Sequence, residues 1–183
     1  RAPNIFLNKK EKINEPYEVV YFDFESVTDG DKHIPYMICS ESRSGEKKFF
    51  IGKYCGLKFL KSLKKNTMAI AHNMVYDIQF LIGMLDSVQD YIPGGSRCKT
   101  ISGRFFNKDK GTSVKICFKD SLSMIDTSLN KFGDMFNLKI KKEIMPYELF
   151  TTESVETRKI KITDAKPFLS ESDYEEFLNN IEV

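Results

Sequence analysis

Two carboxylates, Asp23 and Glu25, stand two residues apart in Tyr21-Phe22-Asp23-Phe24-Glu25-Ser26, directly after Glu18-Val19-Val20. On a strand, such a pair projects the same way with Cα atoms roughly 7 Å apart. The alternation puts Val20, Phe22 and Phe24 on one face and Val19, Tyr21, Asp23 and Glu25 on the other. Both faces begin apolar, which predicts an inner strand covered on both sides. Like charges on a half-buried face repel and lose solvation, and a divalent cation offsets both effects. The competing reading is a strand running out into water with both acids wetted. About 50 residues on, Ala71-His72-Asn73-Met74-Val75-Tyr76-Asp77 brings a third carboxylate. Thr67–Ala71 reads as a short apolar strand with a helix after it, so Asn73 falls at an N-cap and Asp77 one turn in, on the same side. Asn as cap and Asp as partner of the helix dipole account for that pair without any chemistry.

The elements that must hold these groups follow in order. Residues 1–16 are polar and lysine-rich and read as a loose lead-in, leaving 17–183 as one domain. After the acidic strand, Thr28-Asp29-Gly30-Asp31-Lys32 is a turn. His33–Ser40 and Lys47–Ile51 then read as two strands of a meander, joined by the hairpin loop 41–46. Leu57, Leu60 and Leu63 lie at helical spacing, with Lys58, Lys61, Lys64 and Lys65 largely opposite, a face that is usually just solvated. The helix after Asn73 is expected to bury Ile78, Leu81, Ile82 and Leu85. Gly94-Gly95 marks a loop, and Thr100–Phe106 and Ser113–Lys119 form a hairpin over Asn107-Lys108-Asp109-Lys110-Gly111. Asp126-Thr127-Ser128 caps a helix carrying Leu129, Phe132, Met135 and Phe136. Residues 151–166 are polar and irregular. Ser170 with Asp173 opens a last helix with Tyr174, Phe177, Leu178 and Ile181 inward.

Composition narrows the function classes. With 41% hydrophobic residues and 15 Phe, the 183 residues can bury a real core, and the net charge of +2 argues for nothing by itself. No apolar run nears the ~20 residues a membrane span needs, so no membrane partner is expected. No signal peptide is visible, and since the first residue is not Met the start is expected to be cut. Only His33 and His72 are present, which excludes a histidine-rich metal site. Cys39, Cys55, Cys98 and Cys117 show no CxxC spacing and read as reduced core residues of an intracellular protein.

An inner strand bearing D-x-E, followed by a strand–helix junction bearing N-x-x-x-D, resembles the 3′–5′ exonuclease domain of family B DNA polymerases. That domain has an RNase H-like α/β fold, a mixed sheet flanked by helices, and the DEDD set of acids. Phe22-Asp23-Phe24-Glu25-Ser26 corresponds to its first motif and Ala71–Asp77, with Phe80 and Leu81 after it, to its second. The A-H-N-x-x-Y-D form is most similar to the protein-primed branch of viruses, linear plasmids and large DNA transposons. Asp120-Ser121-Leu122 resembles that branch's D-S-L segment, and Lys142-Glu143-Ile144-Met145-Pro146-Tyr147 its K-G-x-F-P-Y segment. The resemblance covers roughly residues 17–150.

The resemblance implies roles residue by residue. Asp23, Glu25 and Asp77 would hold Mg²⁺ or Mn²⁺, two ions in a complete site, which suits hard oxygen ligands and phosphodiester hydrolysis. Ser26, Asn73, Tyr76, Ser121 and Leu122 would contact a single-stranded DNA 3′ end, and Lys142 would sit near the scissile phosphate. Tyr76 offers a stacking surface for a frayed base, or else an aromatic packed on the sheet. The partners implied are the polymerase domain of the same parent chain and a terminal protein primer. Two departures stand out. None of the eight tyrosines begins the family's third motif, Y-x-x-x-D, so its aspartate is expected beyond Val183, or else Asn180 stands in its place. Should the chain cut DNA as it is, Asp120 or Asp173 is nearest to hand as a substitute. Nor is there an S-L-Y-P or D-T-D polymerase motif, so this chain cannot polymerise by itself. Other readings are an inactive module binding single-stranded nucleic acid and a free-standing DEDD exonuclease.

Overall fold

The computed structural model describes residues 17–94, 97–138, 144–157 and 159–181. The lead-in 1–16 and the lysine run at 139–142 lie outside them.

The meander forms as expected: β1 (Glu18–Asp29), β2 (Lys32–Ser42) and β3 (Lys47–Ile51) pair antiparallel. Gly30 makes the first turn at φ 58°, a left-handed conformation that glycine adopts at little cost. Helix α1 (Cys55–Ser62) follows, then β4 (Thr67–Ala71) and the short helix α2 (Met74–Ile78). Strands β5 (Ser87–Gly94), β6 (Arg97–Asn107) and β7 (Thr112–Asp120) complete a seven-stranded sheet of order β3-β2-β1-β4-β7-β6-β5. Only β4 runs parallel to its neighbours, β1 and β7, so the sheet is mixed. Among the described residues, α3 (Phe132–Met135), α4 (Thr152–Thr157) and α5 (Glu171–Ile181) follow the sheet.

The core lies on one face of the sheet. Val20, Phe22 and Phe24 of β1 meet Phe59 and Leu60 of α1 and Met74 and Ile78 of α2, with Ile116 and Phe118 of β7 beside them. Phe22 stacks on Phe59 with ring centroids 5.5 Å apart and meets Phe118 edge-on. The opposite face is open: Tyr21 is 48% exposed and Phe49 63%. The expectation of a strand covered on both sides is therefore corrected, because α1 and α2 both pack against the phenylalanine face.

Several expected elements differ. The helix after Asn73 ends at Ile78; Leu81 is buried from the following turn, Ile82 is 39% exposed and Leu85 half-buried. Strand β5 was unexpected, and it lies at the sheet edge with register irregularities. The helix at Leu129–Phe136 is a 3₁₀ turn joined to the short α3, and Leu129, Met135 and Phe136 are exposed rather than core. Residues 151–166 are not irregular but carry α4 and part of a 3₁₀ segment, Ile162–Phe168. In α5 the Asp173 N–H donates to Ser170 Oγ at 3.2 Å as expected, yet Ile181 is 44% exposed. Two residues of the lysine face are tied down locally, Lys61 to Asp109 and Lys58 to the Ile51 carbonyl.

Candidate active site

Strands β1, β4 and β7 point their carboxyl ends the same way, and the acidic groups collect there. Pairing of β1 with β4 stops at Tyr21 and Ile70, because β4 turns into α2. Beyond that point the Phe24 N–H donates to Asp77 Oδ1 at 3.0 Å. Asp77 thus reaches from the first turn of α2 onto the acidic strand, and it is 1% exposed.

The β1–β2 register then shifts near the end of β1. Glu25 pairs with Met37 but Ser26 with Pro35, which leaves Tyr36 as the extra residue. Inward alternation runs Val20, Phe22, Phe24 and then skips to Val27. Glu25 and Ser26 are both half-buried at this shift, and both line the same cleft as Asp23 and Asp77. Bulges commonly turn a side chain toward a site in this way. The displaced Tyr36 stacks on Phe150 with centroids 6.1 Å apart and planes at 10°.

The cleft has a volume of about 1150 Å³ and includes His72, Asn73, Tyr76 and Leu122 in its wall. Its electrostatics follow from crowded anions. Burial, and next the charge of Asp23, push the Asp77 carboxyl from its ordinary 3.8 up to about 7; the Phe24 N–H opposes this and Glu25 adds to it. Burial and the Glu25 charge hold the Tyr36 hydroxyl at about 12 and raise Tyr147 as well.

Asn73 sits at the N-cap position, but its side chain does not cap. Its backbone is left-handed, at φ 62° and ψ 46°, a conformation Asn tolerates better than most. The capping is done by Asp120 at the end of β7. Its Oδ1 accepts the N–H groups of Asn73 at 3.0 Å, Met74 at 3.3 Å and Leu122 at 3.0 Å. Asp120 is fully buried and its Oδ2 has no hydrogen-bond partner among the described residues. It is a structural acid behind the cleft wall, not a substitute ligand. Asp173 lies on α5 and, like the exposed Asn180, is not among the residues lining the cleft.

The structure brings together Asp23, Glu25, Ser26, Asn73, Tyr76, Asp77 and Leu122. Ser121 stands behind: its Oγ lies 3.0 Å from His72 Nδ1 and 3.2 Å from the Ala71 carbonyl, so it steadies a wall residue instead of lining the cleft. Lys142 falls outside the described residues. Sequence reasoning passed over His33, Asp126, Glu148 and Phe150, which also line the cleft. Tyr147, another lining residue, lay within a quoted motif and could have been found there.

Asp23, Glu25 and Asp77 are hard oxygen ligands on one cleft, and Asp77 feels the charge of the other two. Among the described residues, no three His, Cys, Asp or Glu side chains are gathered closely enough to hold a metal as they stand. The chemistry fits, and a cation would have to draw the acids together.

The raised Asp77 carboxyl carries a pH signature. The folded chain keeps this proton up to about 7, whereas the unfolded chain loses it near 3.8. Stability from this group is therefore present at low pH and lost as pH rises through that window. Relative to wild type, Asp77→Asn should gain roughly 1–3 kcal/mol between pH 4 and pH 8 in metal-free urea denaturation. A difference that does not change with pH would show that Asp77 ionises normally.

Residues 58–183 match the family model described as DNA polymerase type B, organellar and viral. No curated protein matches. Among solved structures, Phi29 DNA polymerase complexed with primer-template DNA and incoming nucleotides is similar at 15% identity, with a TM-score of 0.62, covering 91% of this chain and 29% of that one. Phi29 DNA polymerase complexed with single-stranded DNA gives a TM-score of 0.61 at 15% identity, over 91% of this chain and 30% of that one. Its orthorhombic crystal form gives 0.61 at 14% identity, over 91% and 31%. The chain thus spans less than a third of the structures it matches, and at this identity the likeness shows a shared α/β fold. With well over half of its length matched by the family model, the chain belongs to the organellar and viral type B DNA polymerase family.

Proposed function

We propose that this chain is the RNase H-like 3′–5′ exonuclease domain of a protein-primed family B polymerase, which removes a mismatched 3′ nucleotide as its 5′-monophosphate. The observation that carries this reading is Asp77, buried, bonded to the backbone of the acidic strand and repelled by Asp23 and Glu25. These three acids would hold Mg²⁺ or Mn²⁺. When bound, two such ions supply a hydroxide nucleophile and stabilise the leaving 3′-oxygen.

The chain's own residues do the rest. Tyr76 presents a ring against which the terminal base stacks. Asn73 and Leu122 bound the strand end, Ser26 contacts it from β1, and Ser121 acts through His72. Lys142 is assigned to the scissile phosphate on the resemblance alone. Phi29 DNA polymerase has been solved with primer-template and with single-stranded DNA. That supports a DNA ligand here and a polymerase domain in the same parent chain, with a terminal protein primer as a further partner. Among the described residues Cys39, Cys55 and Cys117 form no disulfide, which agrees with an intracellular, reducing setting. The organellar and viral family is compatible with a viral origin, while a linear-plasmid or transposon origin rests on the motif resemblance. Among the described residues, no helix is long and apolar enough to cross a membrane.

The test is digestion of a 5′-labelled single strand with Mg²⁺ or Mn²⁺ by a chain carrying a complete third motif. Stepwise shortening abolished by Asp23→Ala is expected; shortening that survives Asp23→Ala would overturn the reading. The second reading, an inactive module that binds single strands, is favoured by the ungathered acids. Binding with no digestion by the longer chain would decide for it.

A further inference from the structure

The geometry points to His33 as a positioning residue for the DNA end, acting through the Tyr76 hydroxyl. This rests on the reading of the cleft as the seat of a single-stranded 3′ end. Tyr76 Oη lies between two partners, Ser26 Oγ at 2.5 Å and His33 Nδ1 at 3.1 Å. The Tyr76 ring is met at near right angles by two other rings, His33 at 5.4 Å and Phe80 at 5.5 Å between centroids. Phe80 in turn leans on Phe24 at 5.1 Å, so the inner side of Tyr76 is anchored in the core next to Asp77. The outer side is held by His33 alone among these rings. His33 lies near the start of β2, in register with Thr28 across the turn after the acidic strand.

Ser26 faces two claims. It bonds Tyr76 in the structure, and it is a hydroxyl of the acidic strand on the cleft wall, beside Glu25, where a strand end would meet it. A hydroxyl that turns to a phosphate or sugar oxygen loosens its hold on Tyr76. His33 gives the Tyr76 hydroxyl a second partner, so the stacking ring keeps its place while Ser26 engages the DNA. A ring held beforehand loses less freedom on binding, which favours affinity.

The experiment measures Kd for a 5′-labelled single-stranded oligonucleotide in EDTA, at fixed salt, with the 183-residue chain. His33→Phe keeps a ring against Tyr76 but removes Nδ1; it should weaken binding about three- to tenfold. Tyr76→Phe, which gives up Ser26 as well as His33, should cost at least as much, and the two together should cost no more than Tyr76→Phe alone, since the His33 coupling is already gone. His33→Asn, which restores a hydrogen-bonding side chain, should return most of the affinity. Tyr76→Ala sets the scale, with a loss of about 5- to 150-fold for one stacked base. Wild-type affinity in His33→Phe, or effects of His33→Phe and Tyr76→Phe that multiply, would overturn the role of His33 and leave the proposed function standing. Failure of wild type to bind, with Tyr76→Ala no different, would overturn the proposed function and this inference with it.

Discussion

Residues 1–183 should leave a 5′-labelled single strand nearly intact under conditions where a chain continued through a Y-x-x-x-D motif degrades it. Asp23, Glu25 and Asp77 share one cleft, and the side chains are not gathered into a metal-holding trio among the described residues. A two-ion site short of one carboxylate binds Mg²⁺ weakly, and rates fall by roughly several orders of magnitude when the clamp is incomplete. Asn180→Asp is the informative companion. Asn180 is exposed on α5, away from the residues lining the cleft, so the added carboxylate should restore little. Digestion is followed as ladders on a denaturing gel, with Asp23→Ala as the control for contaminating nuclease. Robust, Asp23-dependent digestion by 1–183 would mean that another acid completes the site. Asp126 and Glu148, which do line the cleft, would then be the ones to replace.

Asp120→Ala should lower the unfolding free energy by about 3–5 kcal/mol, enough to leave a marginal domain largely unfolded at growth temperature. One carboxylate oxygen holds three backbone N–H groups, two of them at the start of α2 and one after β7. Alanine leaves all three without that partner, and the fully buried setting of Asp120 admits no easy replacement by water. Asp120→Asn keeps an accepting oxygen but sets an NH₂ where Oδ2 has no partner, and should cost about 1–2 kcal/mol. Urea denaturation of both variants measures this. Equal losses for Ala and Asn would show that the charge, not the accepting oxygen, is what α2 requires. Since α2 carries Tyr76 and Asp77, folded Asp120→Ala should also bind single strands poorly.

The strand carrying Asp23 and Glu25 could be read in the sequence because burial alternates along it with period two, and phenylalanines mark the inner face. The meander and the β6–β7 hairpin were legible for the same reason, helped by glycine at the turns. What escaped depended on neighbours. Tyr36 gives no sign in sequence that it will bulge, yet the register shifts there, beside Glu25 and Ser26, both of which line the cleft. Asn73 has the chemistry of a cap, but Asp120 arrives from a parallel strand and takes the N–H groups first, leaving Asn73 free to adopt the left-handed backbone. Strand β5 was missed because an irregular edge strand shows little alternation. His33 and Phe150 join the cleft through contacts that sequence spacing does not record.

Strand β4 is five residues long, and it alone joins two antiparallel halves, β3-β2-β1 and β7-β6-β5. Each half is made of neighbours in sequence and can close early. The parallel strand must wait for partners from both sides, since non-local pairing bears the larger loop-closure cost. Until it docks, β1 and β7 are bare sheet edges lined with phenylalanine and isoleucine, the kind of surface that pairs with other chains. The cleft draws on the end of β1, the junction of β4 with α2 and the segment after β7, so it is complete only with β4 in place. The step that creates the site is thus also the step that shields the chain from aggregation. A lesion in Thr67–Ala71 should therefore appear as insoluble protein rather than as soluble protein of reduced activity.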